Sequence, residues 1–326
     1  MAGTQNEGDG ATLTFRQRFI AWWEGYDLSG LRRGGRDGGA DGGAGGAGGA
    51  GGASAAAGGG AGRSRNRYGK PLWTATRVQV AEKIWGEGFS TPGGLEHIST
   101  LIKPLGLNPA MSVLDIGAGL GGSTRTMAQQ CGAWVTGLEH DPLLAEKAKQ
   151  LSQKAGLAKQ APVEFFDPEN FVWTKRVDAI FSKETFFTIH NKDALIDTME
   201  LALKPRGQFL FTDYVQDRVT PRGRDYDAWM KHEPVEPHPW TVDQYVGAMQ
   251  QRNLDIRITE DISDMHRGLV LTAIQDLVRH LETVSMDHDT KLAVVDEVEM
   301  WARRLAALAG GLRCYRFYAM KPADLS

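Results

Sequence analysis

From Arg67 onward, short apolar runs alternate with segments whose apolar residues recur every three or four positions. Ser112 to Ile116, Ala133 to Leu138, Val163 to Phe166, Val177 to Phe181 and Gln208 to Thr212 predict strands. Between them, Gly122 to Gln130, Pro142 to Ala155 and Lys192 to Leu203 predict helices, the last one stopped by Lys204, Pro205, Arg206 and Gly207. Strands separated by helices imply a parallel sheet with right-handed crossovers. Two more helices, about Thr74 to Ile84 and Gly94 to Ile102, precede the first strand. After Thr212 a polar, aromatic stretch with Pro221, Pro234, Pro237 and Pro239 interrupts the alternation, so residues 213–240 read as a cover over a site. A helix at Val242 to Gln251 and a strand at Leu254 to Thr259 follow. Helices near Gly268 to Leu281 and Lys291 to Ala309 precede a final strand, Arg313 to Met320, which makes residues 262–310 a helical insertion in an α/β chain.

Composition changes the picture only upstream. Of the 40 glycines, 16 fall between Gly34 and Gly62, so residues 34–66 are expected to be a Gly/Ala-rich linker that builds no core. Residues 1–33 form a separate segment, in which Phe15, Phe19, Trp22, Trp23 and Tyr26 lie among Arg16, Arg18, Arg32 and Arg33. That mixture suits a short amphipathic helix docked on its own domain, or one that meets a membrane surface or a partner. Residues 67–326 remain as the folded domain. The formal net charge of -3 argues against a nucleic-acid binder, which needs a concentrated basic face. Two cysteines, Cys131 and Cys314, form no metal knuckle or disulfide framework. With no leader-like start and no apolar run of membrane-spanning length, a cytoplasmic location is the expectation.

Chemistry concentrates at Val113 to Gly122, a strand, a glycine turn and a helix start in which Gly117, Gly119 and Gly122 fit GxGxxG. Such a turn lets a ligand approach backbone N–H groups closely. Glu139 ends the next strand, 24 residues after Asp115, where a carboxylate accepts hydrogen bonds from ribose hydroxyls. A nicotinamide dinucleotide would bring a pyrophosphate towards Asp115. S-adenosylmethionine would bring an ammonium and a sulfonium, which an acid attracts, and is the favoured cofactor. Ala118 lies inside the turn and His140 beside Glu139, so both are assigned to the same ligand. Asp213 and Tyr214 end the fifth strand on the ligand-bearing rim and are substrate candidates. Trp229, His232, Glu233, His238 and Trp240 lie in the cover, where aromatics and an acid suit a cation or an ordinary packed lid. No HExxH pattern accompanies these histidines, and no metal is assigned.

Val113 to Gly122 with Glu139 resembles the glycine motif and ribose acid of class I S-adenosylmethionine-dependent methyltransferases, over about Arg67 to Asp261. The resemblance implies a Rossmann-like, seven-stranded, mostly parallel sheet with an antiparallel ending and a helical insertion or cap. It also implies transfer of a methyl group to a small-molecule acceptor. By the same analogy Asp167 lies near the adenine amino group, and Ser182, Lys183 and Glu184 lie beside the transfer site. Within the class, Trp85 to Gly94 resembles the FGEGF-S-GG loop of the phosphoethanolamine methyltransferases, which implies cofactor contacts from Ser90 and Thr91. Phe181 to Thr185 resembles that family's YSRDT segment, and Thr212 to Tyr214 its SDY or TDY.

Departures from that family bear on the acceptor. Thr188 stands where the family has its catalytic histidine, with His190 two residues on, and Trp73 stands where it has the partner tyrosine. Glu233 falls nearest the phosphate-binding arginine, an exchange that would repel phosphate. Glu184 and His190 are therefore the candidate base or orienting groups. Trp73, Asp213, Tyr214, Trp229 and Glu233 are the candidate acceptor contacts. The expected reaction is methylation of an amine nitrogen, with C- or O-methylation of a lipid or isoprenoid as the alternative inside the class. A dinucleotide-dependent oxidoreductase is the alternative outside it.

Overall fold

In a computed structural model that describes residues 65–323, a seven-stranded sheet forms the centre, in the order β3-β2-β1-β4-β5-β7-β6. The strands are β1 (Ser112–Ile116), β2 (Trp134–Glu139), β3 (Val163–Phe165), β4 (Val177–Lys183), β5 (Leu203–Gln216), β6 (Asp255–Asp261) and β7 (Leu312–Met320). Strands β1 to β5 pair in parallel, while β7 enters antiparallel between β5 and β6. This is the expected Rossmann-like topology. The order of strands reverses between β1 and β4, and the crevice at such a switch point is where open α/β sheets bind ligands.

Helices α1 (Ala75–Trp85) and α2 (Gly94–Leu101) precede the sheet. Helices α3 (Gly122–Cys131), α4 (Pro142–Lys154) and α5 (Lys192–Ala202) are the crossovers. Polar caps set two of their starts. Asp141 accepts from the N–H groups of Leu143 and Leu144 ahead of α4, and Asn191 accepts from Ala194 ahead of α5. Apolar side chains on the two sheet faces make the core: Leu114, Ile180, Phe209 and Phe211 on one, Val113, Val135, Phe181 and Leu210 on the other. Consecutive strand residues alternate between the faces, so the continuous apolar runs of the sequence are strands covered on both sides.

Two expectations are corrected here. Lys204 to Gly207 was expected to separate a helix from a strand, yet β5 begins at Leu203 and runs on through Gln216. Residues 213–216 are therefore strand rather than cover, because β7 pairs along them as far as Gln216 with Leu312. The remaining cover holds helix α6 (Arg224–His232), followed by α7 (Val242–Gln251), which starts with a capping box of Thr241 and Gln244. The insertion is two long helices, α8 (Ser263–Leu281) and α9 (His288–Ala309), and α9 packs on α1 and α6. The N-terminal aromatic segment and nearly all of the Gly/Ala tract lie outside the described residues. No helix among the described residues is long and apolar enough to cross a membrane.

Candidate active site

A cleft opens at the carboxyl ends of β1, β2 and β4, the end at which the strand order reverses. Its floor is the turn after β1. The Gly117 and Ala118 N–H groups donate to the Leu138 carbonyl, and Gly119 N–H donates to Glu139 Oε2 at 2.7 Å. Both Gly117 and Gly119 have positive φ, and a Cβ on either would stand 2.0 Å from Thr185 Oγ1 or 2.7 Å from Ser90 Oγ. A side chain at Gly117 would collide with Thr185, and at Gly119 it would be strained by the positive φ and would have to displace Ser90 Oγ. The loop carrying Ser90 and Thr91 thus lies against the glycine turn, and both residues line the cleft.

Glu139 also lines the cleft, with its other oxygen accepting from Asp141 N–H at 2.8 Å. Each carboxylate oxygen carries two lone pairs, so one acceptor site on each remains for a pair of vicinal hydroxyls. His140 sits beside it on the cleft wall. Asp115 does not reach the cleft. It is fully buried, and its Oδ2 accepts from Ser123 at 2.6 Å and Thr124 at 2.7 Å, tying β1 to the first turn of α3. Burial pushes its carboxyl up to about 6, against the two hydroxyl donors that lower it. The attraction expected between Asp115 and a cationic ligand is therefore replaced by a strand-to-helix tie. Ser182 is likewise turned inward, donating to the Ile116 carbonyl at 2.8 Å. Asp167 is outside the cleft wall, in the loop after β3, and accepts from Asn170 at 2.7 Å.

At the tip of β4, Lys183 donates to Thr91 Oγ1 at 3.2 Å and forms a tight pair with Glu184. Glu184 is in the left-handed region at φ 52°, uncommon for a residue with a side chain and a mark of functional sites. Burial works against its charge, but Lys183, through its charge and its hydrogen bond, together with Arg304 outweighs that and holds its carboxyl below the ordinary range. Its Oε2 is buried with no hydrogen-bond partner. An orphaned carboxylate oxygen is costly, and a donor on a bound molecule would satisfy it.

Behind Glu184 lies a buried relay that sequence reasoning missed. Tyr214 Oη meets His266 Nε2 at 2.7 Å, and His266 Nδ1 stands 3.5 Å from Glu184 Oε1. Burial lowers His266 to about 4, although Glu184 pulls the other way. The folded protein therefore keeps this ring neutral where an unfolded chain would bind a proton below the ordinary value of 6.5. Stability should fall as the pH drops from about 6.5 to 4, by on the order of 3 kcal/mol from this ring. His97, lowered to about 4 chiefly by burial, adds in the same window. Urea titrations across that range should show a shallower pH slope in His266→Gln, and an identical slope in both proteins would contradict the assignment.

Four sequence candidates lie outside the cleft lining. His190 is exposed, and its ring packs edge-on against His238 at 5.0 Å, away from the cleft. Asp213 is buried and accepts from Phe187 N–H at 3.1 Å and Tyr245 Oη at 2.6 Å, which braces the turn after β4. Tyr214 faces His266, and Trp229 packs on Phe187 and Tyr214, so neither contacts the cleft. Strand alternation accounts for Asp213 and Tyr214: as neighbours on β5 they face opposite sides, Asp213 meeting Tyr245 of α7 and Tyr214 meeting His266 of α8.

Trp73 and Glu233 do line the cleft. The opposite wall comes from α9, which contributes Glu297, Met300, Trp301 and Arg304. Arg304 holds Glu233 through two contacts, Nε to Oε2 at 3.2 Å and Nη2 to Oε1 at 2.5 Å, and lies over the Trp301 ring at 4.5 Å. Arg77 from α1 donates to Glu297 at 2.8 Å and lies over Trp73 at 4.1 Å.

This geometry can be set beside known proteins. Residues 107–257 match the sequence profile of a family described as a methyltransferase domain. The chain carries a class I methyltransferase fold. Phosphoethanolamine N-methyltransferase 3 of Arabidopsis thaliana is 27% identical over 246 residues, 74% of this chain and 48% of that protein. The Plasmodium falciparum phosphoethanolamine N-methyltransferase is 27% identical over 204 residues, 61% of this chain and 74% of the relative. Phosphoethanolamine N-methyltransferase 2 of Haemonchus contortus, solved with S-adenosyl-L-methionine, superposes with a TM-score of 0.67 at 21% identity, covering 78% of this chain and 62% of that one. The chain spans about half the length of the plant relatives it matches. It resembles the phosphoethanolamine methyltransferase family.

Proposed function

We propose that this chain is an S-adenosylmethionine-dependent methyltransferase acting on the amine nitrogen of a small-molecule acceptor. The observation that carries the reading is the buried, unpartnered Oε2 of Glu184 at the strand tip, next to a turn whose glycines adopt positive φ against Thr185 and Ser90. The residues present fit the cofactor. Glu139 would hold the ribose hydroxyls, and the Gly117 to Gly119 turn, with Ser90 and Thr91 of the preceding loop, would line the rest of the cofactor's site. His140 adds a wall, and Asp167 lies in the loop that follows the neighbouring strand. When bound, S-adenosylmethionine supplies an electrophilic methyl group, and most of the chemical driving force is its own.

The chain's residues do the rest. Glu184 Oε2 accepts an N–H of the acceptor and orients the nitrogen, whose lone pair is usable only after an ammonium proton has left. Lys183 keeps Glu184 ionised, and His266 with Tyr214 fixes its carboxylate from behind. Trp73, Phe187 and Trp301 shed water from the cleft and restrict the acceptor's approach.

Equilibrium titration with S-adenosylhomocysteine and with NADH tests the cofactor. Micromolar binding of the first and none of the second is expected, and the reverse would make the chain an oxidoreductase. In Glu139→Gln, hydrogen bonds to a charged acceptor weaken at about 1.5–3 kcal/mol, a loss of roughly ten- to hundred-fold in S-adenosylhomocysteine affinity. Unaltered affinity in the folded variant removes Glu139 from the site.

A further inference from the structure

We infer that Glu233 determines acceptor specificity: by occupying Arg304 it withholds the cleft's more enclosed guanidinium from anionic acceptors, so the methyl acceptor is an amine that carries no phosphate. The inference rests on the methyltransferase reading and deepens it.

The cleft wall beyond the cofactor residues holds three cations, and each already faces an acid. Lys183 pairs with Glu184, Arg77 with Glu297 and Arg304 with Glu233. Acceptor-side charge therefore sums to zero, and no guanidinium is left to meet a dianion. Arg304 is the more enclosed of the two guanidinium groups. Burial opposes its charge, yet Glu233, with Tyr214 and Glu184 further off, holds it protonated above its ordinary value. Two parallel contacts to one carboxylate use the guanidinium edge that a phosphate would take.

Glu233 is built into place rather than swinging free. It follows the last turn of α6, its N–H donating to the Trp229 carbonyl at 2.9 Å. The terminal carbonyls of that helix are held from two directions. Arg67 reaches Met230 and Lys231 at 2.9 and 2.6 Å, and Arg303 reaches His232 at 3.3 Å. Cations at a helix C-terminus stabilise it. Displacing Glu233 to admit a phosphate would strand a carboxylate that is 3% exposed. An uncharged or cationic amine meets no such barrier, because Glu184 Oε2 can receive its N–H while the Trp73 and Trp301 rings flank it.

The test compares wild type with Glu233→Gln, which keeps one acceptor oxygen on Arg304 but removes the opposing charge. Both are first titrated with S-adenosylhomocysteine. Failure of wild type to bind it would overturn the methyltransferase reading itself, whereas equal binding isolates the acceptor question. Phosphoethanolamine and ethanolamine are then titrated into each S-adenosylhomocysteine complex. The ratio of phosphoethanolamine to ethanolamine affinity should rise at least tenfold in Glu233→Gln, and the gain should vanish in Glu233→Gln/Arg304→Gln. Should Glu233→Gln be too unstable for titration, its melting temperature is read with and without phosphoethanolamine, which should raise it in the variant and not in wild type. Tighter binding of phosphoethanolamine than of ethanolamine by wild type overturns the inference, as does the absence of both the affinity gain and the melting shift in the variant.

Discussion

Arg304→Ala should destabilise the folded protein by about 3–5 kcal/mol, because removing one member of a buried ion pair leaves the other charged and unsolvated. Glu233 is the member left behind, enclosed by Pro234 and by helices α6 and α9. The substitution also strips the cation from over Trp301 and empties space beside Phe187 and Tyr214. A typical domain has about 5–15 kcal/mol in total, so this one change threatens the fold. Replacing both members, as Arg304→Met with Glu233→Gln, removes the stranded charge and should recover most of the loss. Urea unfolding of the three proteins checks this through the midpoint at constant slope. A single-variant loss below about 1 kcal/mol would mean that water reaches the pair freely and screens it, as at a surface.

The second large effect falls on turnover. Glu184→Gln should lower the rate of methyl transfer by about 10²–10⁴-fold, the usual worth of a positioned base, while S-adenosylhomocysteine affinity stays within a few-fold. The carboxamide keeps the size and removes the charge that favours a departing proton. Because Glu184 is held below the ordinary carboxylate range, it is ionised throughout pH 5–9. The wild-type rate should therefore rise with pH along a single limb set by the acceptor's own ammonium group. A second limb near pH 6 that disappears in Glu184→Gln would show that Glu184 itself titrates there, against the influence of Lys183. Equal turnover in both proteins would leave proton removal to solvent.

Much of the architecture could be read along the chain. Five apolar runs separated by capped helices specify a covered parallel sheet, and Gly117, Gly119 and Glu139 appear at the spacing that a strand, turn, helix and strand impose. Those features are local: a positive φ needs glycine, an N-cap needs a short polar side chain, and a strand buried on both faces needs an unbroken apolar run. The tip of β4 follows from them and marks Lys183 and Glu184, whereas Ser90, in the loop between α1 and α2, is marked only by the family resemblance of that loop.

The side chains that face one another across the cleft were not readable in this way. Tyr214 and Asp213 end a run that resembles a rim, but β7 pairs with β5 past them, and Asp213 is bonded to Tyr245 of α7 and Tyr214 to His266 of α8, so both act as braces in this structure. His190 stands six residues from Glu184 in sequence and points away, while His266, from the insertion, takes its place behind the carboxylate. Arg304 is 71 residues from Glu233, and no period or motif links them. Sequence by itself determined the sheet, the glycine turn and the acid after β2, because backbone conformation and burial pattern act over a few neighbours. Tertiary structure alone decided which charge meets which, because Coulomb pairing depends on distance in space, and the two helices before β7 carry Glu297, Trp301 and Arg304 to a wall that the chain's order does not foretell.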